Sequence, residues 1–227
     1  ALGTLVDISL WDTDATQASQ AIHAIDTRLD EIYHDWHGWL PGRLHDINTA
    51  IARGQDITLN DTELELLQQA SQLAAQSQQL FNPAIGQLIG QWGFHSDTPE
   101  GPPPAADIIQ KLLARQPRMS NLSFSGHTLH SNNNAVQLDV GAFAKGYAVD
   151  QAVALLRQHG INNAIINIGG DLRAIGRHGK RPWHIGIRHP EQPGVIAALE
   201  IQGDESVFTS GNYERFYEYE GQRYHHI

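Results

Sequence analysis

Apolar residues recur at helical spacing near the start of the chain and predict its first long helix. The run from Thr4 to Leu10 partly alternates between apolar and polar residues, which predicts an opening strand. The side chains of residues 12–14 (Asp, Thr, Asp) are suited to cap the helix that follows. A loop over residues 38–42 then ends the helix. One buried stripe is predicted along it, formed by Ile22, Ile25, Leu29, Ile32 and Trp36.

Two further helices are predicted downstream. One begins near Thr62, with Glu65 completing a capping box, and runs toward Leu80. The other covers about residues 142–159, and Gly160 is placed to end it. The predicted inner faces are Leu66, Leu67, Ala70, Leu73 and Ala74 in the first, and Ala148, Val149, Ala152, Val153 and Leu156 in the second.

From Leu122 onward, short β-prone runs alternate with turn residues. Residues 132–134 (Asn-Asn-Asn) and 169–171 (Gly-Gly-Asp) are examples of these turns. This pattern predicts an α+β protein with a largely antiparallel sheet core and packed helices. Residues 95–106 are rich in proline and glycine and predict a surface loop. That loop is the candidate lobe boundary within a single domain over residues 1–227.

Composition narrows the possible functions. The 227 residues include no cysteine, which excludes disulfides, thiolate metal sites and cysteine nucleophiles. The formal net charge of −10 argues against a nucleic-acid partner. No apolar stretch approaches the roughly 20 residues of a transmembrane helix. The first residue is Ala1 rather than methionine, which leaves open a leader or lipid anchor removed by processing.

The most informative segment covers residues 138–150, Leu-Asp-Val-Gly-Ala-Phe-Ala-Lys-Gly-Tyr-Ala-Val-Asp. We expect a strand to end here, a glycine to turn the chain and a helix to begin. A helix N-terminus suits a phosphate or diphosphate, and Lys145 adds a positive charge beside it. Asp139 can hold a ligand donor or stiffen the turn. The alternative is an ordinary strand-to-helix turn with a surface lysine, because short glycine motifs give many false positives.

Three more segments carry polar groups in suggestive places. Residues 165–173 contain paired glycines that allow close backbone approach, although the segment taken alone favours a tight hairpin. Thr209 and Ser210 follow an apolar run and could bind phosphate oxygens. His225 and His226 stand near the end of the chain, where one of them could act as a general base. A polar edge strand is the alternative for these last two segments.

In this order, and over nearly the whole chain, the segments resemble the ApbE family of FAD:protein FMN transferases. Leu2-Gly3-Thr4 is similar to the family's Met-Gly-Thr, and residues 81–86 are similar to its Phe-Asp-Pro-Thr-Val-Gly. Trp92-Gly93-Phe94 follows, then residues 138–150, Asn-x-Gly-Gly-Asp, Thr-Ser-Gly-x-Tyr and His-His-Ile. Each motif is weak alone, whereas the ordered set is specific.

The resemblance implies an ApbE-like (T-fold-like) fold with a flavin cleft between sheet and helices. It implies FAD as substrate, with Mg²⁺ on the FAD diphosphate. A threonine hydroxyl of an acceptor flavoprotein subunit would attack the FMN phosphorus, and AMP would leave. The resemblance also implies a location on the periplasmic side of the bacterial cell envelope.

Residue roles follow from the matching positions. Ala142 would offer a backbone carbonyl to Mg²⁺, and His226 would be the catalytic base or a flavin contact. The residues implied to contact FAD are Trp39, Leu80, Phe81, Asn82, Asp139, Lys145, Thr209, Ser210, His226 and Ile227. Among them, Trp39 would lie against the flavin, residues 80–82 along the adenine or ribose, and residues 209–210 near the phosphates.

Two departures from the family pattern affect these expectations. Asn82 replaces the usual aspartate, which removes a charge. The family continues after His-His-Ile with Asp-Pro-x-Thr-Gly, whose Asp and Thr supply metal ligands, whereas this sequence ends at Ile227. We therefore expect a truncated form with weak Mg²⁺ binding and little activity. Two alternatives remain open: an FAD pyrophosphatase that releases FMN and AMP, and a non-catalytic FAD-binding module.

Overall fold

The computed structural model describes residues 3–190, 192–212 and 214–226. The chain forms two compact units, each built from two separate stretches of sequence. The first unit contains residues 1–33 and 144–213, and the second contains residues 34–143 and 214–227. Residues 95–106 therefore lie inside the second unit, and the divisions of the chain fall elsewhere.

Five of the six α-helices lie before residue 115 of the described chain, and most of the strands follow Leu122. The helices are α1 (Ala15–Trp36), α2 (Arg43–Ala52), α3 (Asp61–Gln76), α4 (Gly86–Gln91), α5 (Ala106–Ala114) and α6 (Gly141–Gln158). The strands are β1 (Val6–Leu10), β2 (Ile57–Thr58), β3 (Leu122–Ser125), β4 (Thr128–Ser131), β5 (Ala164–Ile168), β6 (Asp171–Ile175), β7 (Trp183–Arg188), β8 (Val195–Ile201), β9 (Glu205–Val207), β10 (Phe216–Tyr219) and β11 (Gln222–His225).

The first unit is built on a four-stranded sheet in the order β1-β5-β6-β9. Each neighbouring pair is antiparallel, and Ile8 of β1 stands opposite Ile166 of β5. Alternate residues of β5 are fully buried, as the two-residue period of a strand requires. The hairpin of β7 and β8 contributes Trp183 and Ile201 to a core cluster with Leu172 of β6. The Trp183 indole N–H donates to the carbonyl of Ile175, so this buried polar group has a partner.

The second unit contains the three-stranded antiparallel sheet β2-β4-β3 and the antiparallel hairpin β10-β11. Helix α3 begins with a reciprocal capping box between Asn60 and Glu63. Glu63 is 6% exposed, and its carboxylate also accepts two hydrogen bonds from the Arg43 guanidinium, at 2.7 and 3.0 Å. The buried charge is therefore neutralised and hydrogen-bonded.

The predicted α+β class with antiparallel sheets is confirmed, and all named strand pairs within the described residues are antiparallel. Asp14 caps α1 by accepting the backbone N–H groups of Thr16 and Gln17 at 2.9 Å. Helix α6 buries all five residues of its predicted inner face. Gly160 follows it with φ +73°, a conformation that glycine adopts without strain.

Several details of the sequence prediction were wrong. The capping box of α3 uses Asn60 and Glu63 rather than Thr62 and Glu65, and the helix ends at Gln76 well before Leu80. Ile22 of α1 and Leu73 of α3 are 44% and 42% exposed, so the buried stripes are narrower than predicted. Helices α2, α4 and α5 have no counterpart in the predicted set. None of the helices in the described part of the chain is long and apolar enough to cross a membrane.

Candidate functional site

Three separated segments of the first unit meet around Lys145. The ammonium group of Lys145, in α6, lies 3.8 Å from the carboxylate of Asp171, the first residue of β6. The backbone N–H of Thr209 lies near the same carboxylate and acts to lower its pKa. A Cβ placed on Gly146 would lie 3.6 Å from the Phe208 ring, so the helix and the segment after β9 are in close contact. We call Lys145, Asp171 and Thr209 the lysine cluster.

The paired glycines between β5 and β6 allow a close approach in this unit. Gly169 has φ +59°, and a Cβ there would lie 2.6 Å from the Thr4 hydroxyl oxygen. A side chain at position 169 would therefore collide with the Gly3-Thr4 segment as well as strain the backbone. The Gly170 N–H donates to Asn167 Oδ1 at 3.0 Å, which closes the turn. The turn is a tight hairpin, and it also places Asp171 in the lysine cluster.

The charges of the lysine cluster are incompletely paired. Burial raises the pKa of Asp171, while the nearby Lys145 ammonium and the Thr209 N–H act in the opposite direction. At 3.8 Å, the Lys145 ammonium is too far from the carboxylate for a normal hydrogen bond. Its side chain remains 36% exposed, and Thr209 and Ser210 are also exposed. The cluster therefore offers a cation and hydroxyl groups to an anionic ligand.

In the second unit, the segment before α6 is held by hydrogen bonds rather than by a regular strand. The Asn48 side chain on α2 bonds both backbone groups of Leu138, at 2.7 and 2.9 Å. The Asp139 N–H donates to the Pro83 carbonyl at 2.8 Å, and the Gly86 N–H donates to the Gln137 carbonyl at 2.7 Å. The expected strand end is thus reduced to one isolated bridge. The two motifs at residues 81–86 and 138–143 nevertheless pack together.

Asp139 is the most constrained acidic residue of this segment. Its Oδ1 accepts the Gly141 N–H at 2.8 Å, and its Oδ2 accepts a hydrogen bond from His95 Nε2 at 2.8 Å. Burial by itself raises the pKa of Asp139, but the bonds from His95 and Gly141 outweigh burial and leave the pKa below its ordinary value. Asp139 is therefore an anchored carboxylate at the N-terminus of α6, where the helix dipole also favours a negative charge.

Trp39, the residue expected to face the flavin, already has three neighbours in the second unit. The His95 ring stacks on it with centroids 5.7 Å apart and planes inclined by 26°. The His37 ring meets it edge-on at 4.3 Å, and the Arg215 guanidinium carbon lies 5.3 Å from its centroid. Burial lowers the pKa of His37. A flavin ring would have to share Trp39 with these groups.

His226 has a defined tautomer. Its Nδ1 lies 3.0 Å from the carbonyl oxygen of Arg215, an acceptor-only group, so Nδ1 carries the proton. The neutral ring then has its lone pair on Nε2, the arrangement that a general base requires. Arg215 is held in turn by donating to the carbonyls of Phe94 and Ser96. Ile227, which was also expected to contact FAD, lies outside the described residues.

In the segment of residues 80–82, the first side chain faces solvent and the other two make contacts within the protein. Leu80 is 92% exposed after two residues with positive φ, Gln78 and Gln79. The Phe81 ring lies 6.3 Å from that of Phe143. Both polar atoms of the Asn82 amide form hydrogen bonds within the second unit. Asn82 also lines a cleft of about 400 Å³ in that unit. The buried Oε1 of Gln79, another lining residue, has no hydrogen-bond partner and could accept from a ligand in that cleft.

The residues described here do not fit a protein-built magnesium cage. Ala142 is an exposed residue in the first turn of α6, where regular helical bonding already engages its carbonyl. Across residues 3–190, 192–212 and 214–226, no group of three His, Asp or Glu side chains could hold a metal ion. Mg²⁺ prefers about six oxygen ligands, so one carbonyl is insufficient.

The structure groups the predicted residues by unit and adds residues that the sequence did not single out. Lys145 and Thr209 both lie near Asp171. Asp171 belongs to the Asn-x-Gly-Gly-Asp motif, but the sequence predicted no role for it. Asp139 and Trp39 meet through His95. His95 directly follows the Trp-Gly-Phe motif, and this position was the only sequence signal that could have identified it.

Comparisons with known proteins identify relatives of this chain. The chain is 41% identical over 225 residues to the FAD:protein FMN transferase of Rhodobacter capsulatus, an alignment that covers 99% of this chain. It is 32% identical over 230 residues to the enzyme of that name from Klebsiella pneumoniae (strain 342), covering 100% of this chain and 69% of the relative. The solved ApbE protein of Thermotoga maritima matches with a TM-score of 0.88 at 28% identity, covering 100% of this chain and 73% of that chain.

The fold is thus that of a mixed α+β protein shared with solved flavin transferases. The ApbE family model matches residues 2–227, and the chain belongs to the ApbE family. The chain spans 43% of the length of the Rhodobacter capsulatus relative.

Proposed function

We propose that this protein transfers FMN from FAD to a threonine hydroxyl of an acceptor flavoprotein subunit and releases AMP. Support comes from relatives at 41% and 32% identity that are named FAD:protein FMN transferase. The single observation that carries the proposal is the convergence of three separated segments on Lys145. This convergence turns three individually weak glycine and hydroxyl motifs into one cationic cluster.

Lys145 has the role of binding the FAD diphosphate. Its ammonium is only loosely paired with Asp171, so a diphosphate can displace that contact and form a shorter, charge-assisted bond. The exposed hydroxyls of Thr209 and Ser210 supply further donors. A net charge of −10 would otherwise repel an anionic substrate, which makes a local cation more important.

Residues of the second unit have the roles of holding other parts of FAD and of moving the proton. Asp139 and Trp39 contact the cofactor, and Asn82 and its neighbours Leu80 and Phe81 contact the adenosine half. His226 Nε2 accepts the proton of the threonine hydroxyl as the threonine oxygen bonds to the FMN phosphorus. The bond between that phosphorus and the bridging diphosphate oxygen breaks, and the electron pair leaves with AMP.

The proposal also includes Mg²⁺ and a periplasmic location, because the family resemblance implies both. When bound, Mg²⁺ would neutralise phosphate charge and favour the departure of AMP. Because the described residues form no cage for it, we expect the ion to bind with FAD rather than before it. Equilibrium dialysis of Mg²⁺ with and without FAD measures this order.

The test is incubation of the full-length protein with FAD, Mg²⁺ and candidate acceptor subunits. Mass spectrometry would detect an FMN adduct on acceptor threonine, and chromatography would measure AMP. Lys145→Ala should weaken FAD binding by about tenfold or more, the effect of removing a charged hydrogen bond. Lys180→Ala is the matched control, because Lys180 is an exposed lysine of the same unit outside the lysine cluster.

The outcomes separate the alternatives. An FMN adduct with stoichiometric AMP supports the transferase. Free FMN and AMP without an adduct identify an FAD pyrophosphatase. Quenching of FAD fluorescence without any turnover identifies a binding module. Absence of FAD binding, or equal binding by the Lys145→Ala and Lys180→Ala variants, would overturn the proposed role of the lysine cluster.

A further inference from the structure

A histidine outside the family motifs quoted above holds the carboxylate that precedes α6. His95 Nε2 and Asp139 Oδ2 are 2.8 Å apart, and their side chains are only 14% and 10% exposed. The two residues are separated by 44 positions in sequence, so the pair is a tertiary contact. Low exposure makes such a hydrogen bond stronger and the loss of one partner costlier than at the surface.

Two glycines make room for this pair. A Cβ on Gly38 would lie 3.0 Å from Asp139 Oδ2 and 3.7 Å from His95 Nε2. A Cβ on Gly90 would lie 3.0 Å from His95 Nδ1. Gly90 lies inside helix α4, where glycine is unfavourable by roughly 1 kcal/mol relative to alanine. The close approach of the imidazole gives a physical reason for glycine there.

The remaining contacts fix the imidazole ring and the far side of the carboxylate. The His95 ring stacks on Trp39 at 5.7 Å, which restricts its rotation. The second oxygen of Asp139 is engaged by the Gly141 N–H at 2.8 Å. The pair therefore connects the loop after α4 to the first turn of α6 through one carboxylate.

The same chain contains a useful contrast. His127 Nε2 and Asp61 Oδ1 are 2.7 Å apart, but their side chains are 51% and 98% exposed. An exposed pair of this kind contributes little, because water competes for both partners. The partly buried pair and the exposed pair thus have the same chemistry and nearly the same length, and they differ in their surroundings.

We propose that His95 is a positioning residue for FAD binding, which acts by holding the Asp139 carboxylate and the first turn of α6 in a binding-competent arrangement. This inference rests on the proposed function, since Asp139 is the residue expected to contact FAD. His95 touches Asp139 and acts through it.

The test is a double-mutant cycle read by FAD affinity in the full-length protein. His95→Leu should weaken FAD binding about tenfold, as expected for loss of a hydrogen bond to a charged group. Asp139→Asn should also weaken it, and the double variant should be no weaker than Asp139→Asn alone, because His95 acts through that carboxylate. His95→Gln, which keeps an N–H donor, should recover part of the affinity.

Controls separate positioning from general stability. His127→Leu should leave FAD affinity unchanged. Thermal unfolding of every variant is followed in parallel, and binding is measured well below each transition. Should His95→Leu not fold, Gly38→Ala replaces it, since that change keeps both partners but crowds Asp139 Oδ2; it should also weaken binding about tenfold.

Unchanged FAD affinity in His95→Leu or, where it replaces that variant, in Gly38→Ala would overturn the positioning role while leaving the proposed function intact. Additive effects of His95→Leu and Asp139→Asn would also overturn it. If the unmodified protein does not bind FAD, the proposed function fails first and this inference fails with it.

Discussion

Asn82 belongs to a family motif, and both polar atoms of its side chain form hydrogen bonds within the protein. Its Nδ2 donates to the Pro117 carbonyl at 3.0 Å, and its Oδ1 accepts the Ala84 N–H at 3.1 Å. An aspartate could accept from Ala84 in the same way but could not donate to Pro117. The asparagine therefore gains a contact that the family's usual aspartate, when ionised, cannot make.

We predict that Asn82→Asp destabilises the protein by about 1–3 kcal/mol at pH 7, because the Pro117 carbonyl loses its donor and faces a carboxylate. Urea denaturation measures the loss. At a pH near 4, about half of a model aspartate is protonated and able to donate, so the difference should shrink.

Asn162→Asp is the matched control for this change. Asn162 Nδ2 also donates to a carbonyl, that of Gly160, but at 3.3 Å and in an exposed position. Its substitution should change stability by no more than about 0.5 kcal/mol. Equal stability of Asn82→Asp and the unmodified protein would show that the bond to Pro117 contributes nothing.

At the residue scale, sequence motifs located Asp139 and Lys145 but not their partners. A motif fixes which side chains lie near each other along the chain. The contact of Asp139 with His95 depends instead on the path of the loop after α4, and that of Thr209 with Asp171 depends on strand order. Neither contact has a local signal.

At the element scale, helix α3 illustrates why a helix start is difficult to place. Both Asn60-x-x-Glu63 and Thr62-x-x-Glu65 satisfy the capping-box pattern. The structure uses the first, and Glu63 is also bonded by Arg43, which lies 20 positions earlier in the chain. A tertiary contact thus favours one of two locally equivalent caps.

Helix length and composition decided which helices could be predicted. Helices α1, α3 and α6 have 22, 16 and 18 residues and repeat their apolar positions over several turns. Helix α4 has only six residues, two of them glycine, and gives almost no periodic signal. Helix α2 was detectable, since it buries Leu44, Ile47, Ala50 and Ile51 at helical spacing.

An ion-pair network joins α6 and β6 to the turn before β9. Asp204 accepts hydrogen bonds from Arg173 at 2.7 and 2.9 Å and from Arg157 at 2.6 Å. The hydrogen bonds from Arg173 and then from Arg157 hold the pKa of Asp204 at about 2, against an ordinary value of 3.8. The side chain is 37% exposed, so water and salt screen the network substantially.

Because the pKa of Asp204 is lower in the folded protein, its contribution to stability is present above about pH 4 and is lost as the pH falls toward 2. We predict that Asp204→Asn lowers stability by up to about 1 kcal/mol at pH 7 and that the difference disappears near pH 2. Urea denaturation over this pH range measures it.

Asp107→Asn is the control for the ion-pair prediction. Asp107 pairs with Lys111 at 2.9 Å on the same helix, and both side chains are well exposed. Its loss should cost no more than about 0.5 kcal/mol. A stability difference for Asp204→Asn that grows as the pH falls would contradict the assigned direction of the pKa shift.

At the scale of the whole molecule, neither compact unit is a continuous piece of sequence. The first unit takes residues 1–33 from one end of the chain and 144–213 from the other half. The sequence suggested a lobe boundary at residues 95–106, because proline and glycine mark exposed loops. The position of the division between compact units depends on strand pairing, here of β1 with β5. Local composition does not predict that pairing.

Cutting the chain in the 95–106 loop gives a direct test of this organisation. We predict that fragments 1–100 and 101–227 are each largely unfolded alone, because each contains only part of both units. Mixing them should restore helical circular dichroism and a cooperative thermal transition. A cooperative transition in either isolated fragment would instead support a boundary at this loop.

The antiparallel pairing of β1 with β5 has a consequence during synthesis of the protein. Val6 pairs with Ile168, so its partner is translated about 160 residues later. At roughly 5–20 residues per second, strand β1 waits about 8–32 seconds on the ribosome before β5 exists. During that interval its apolar residues are available to chaperones and to neighbouring nascent chains. Slowing translation between the codons for β1 and those for β5 should therefore lower the yield of folded protein.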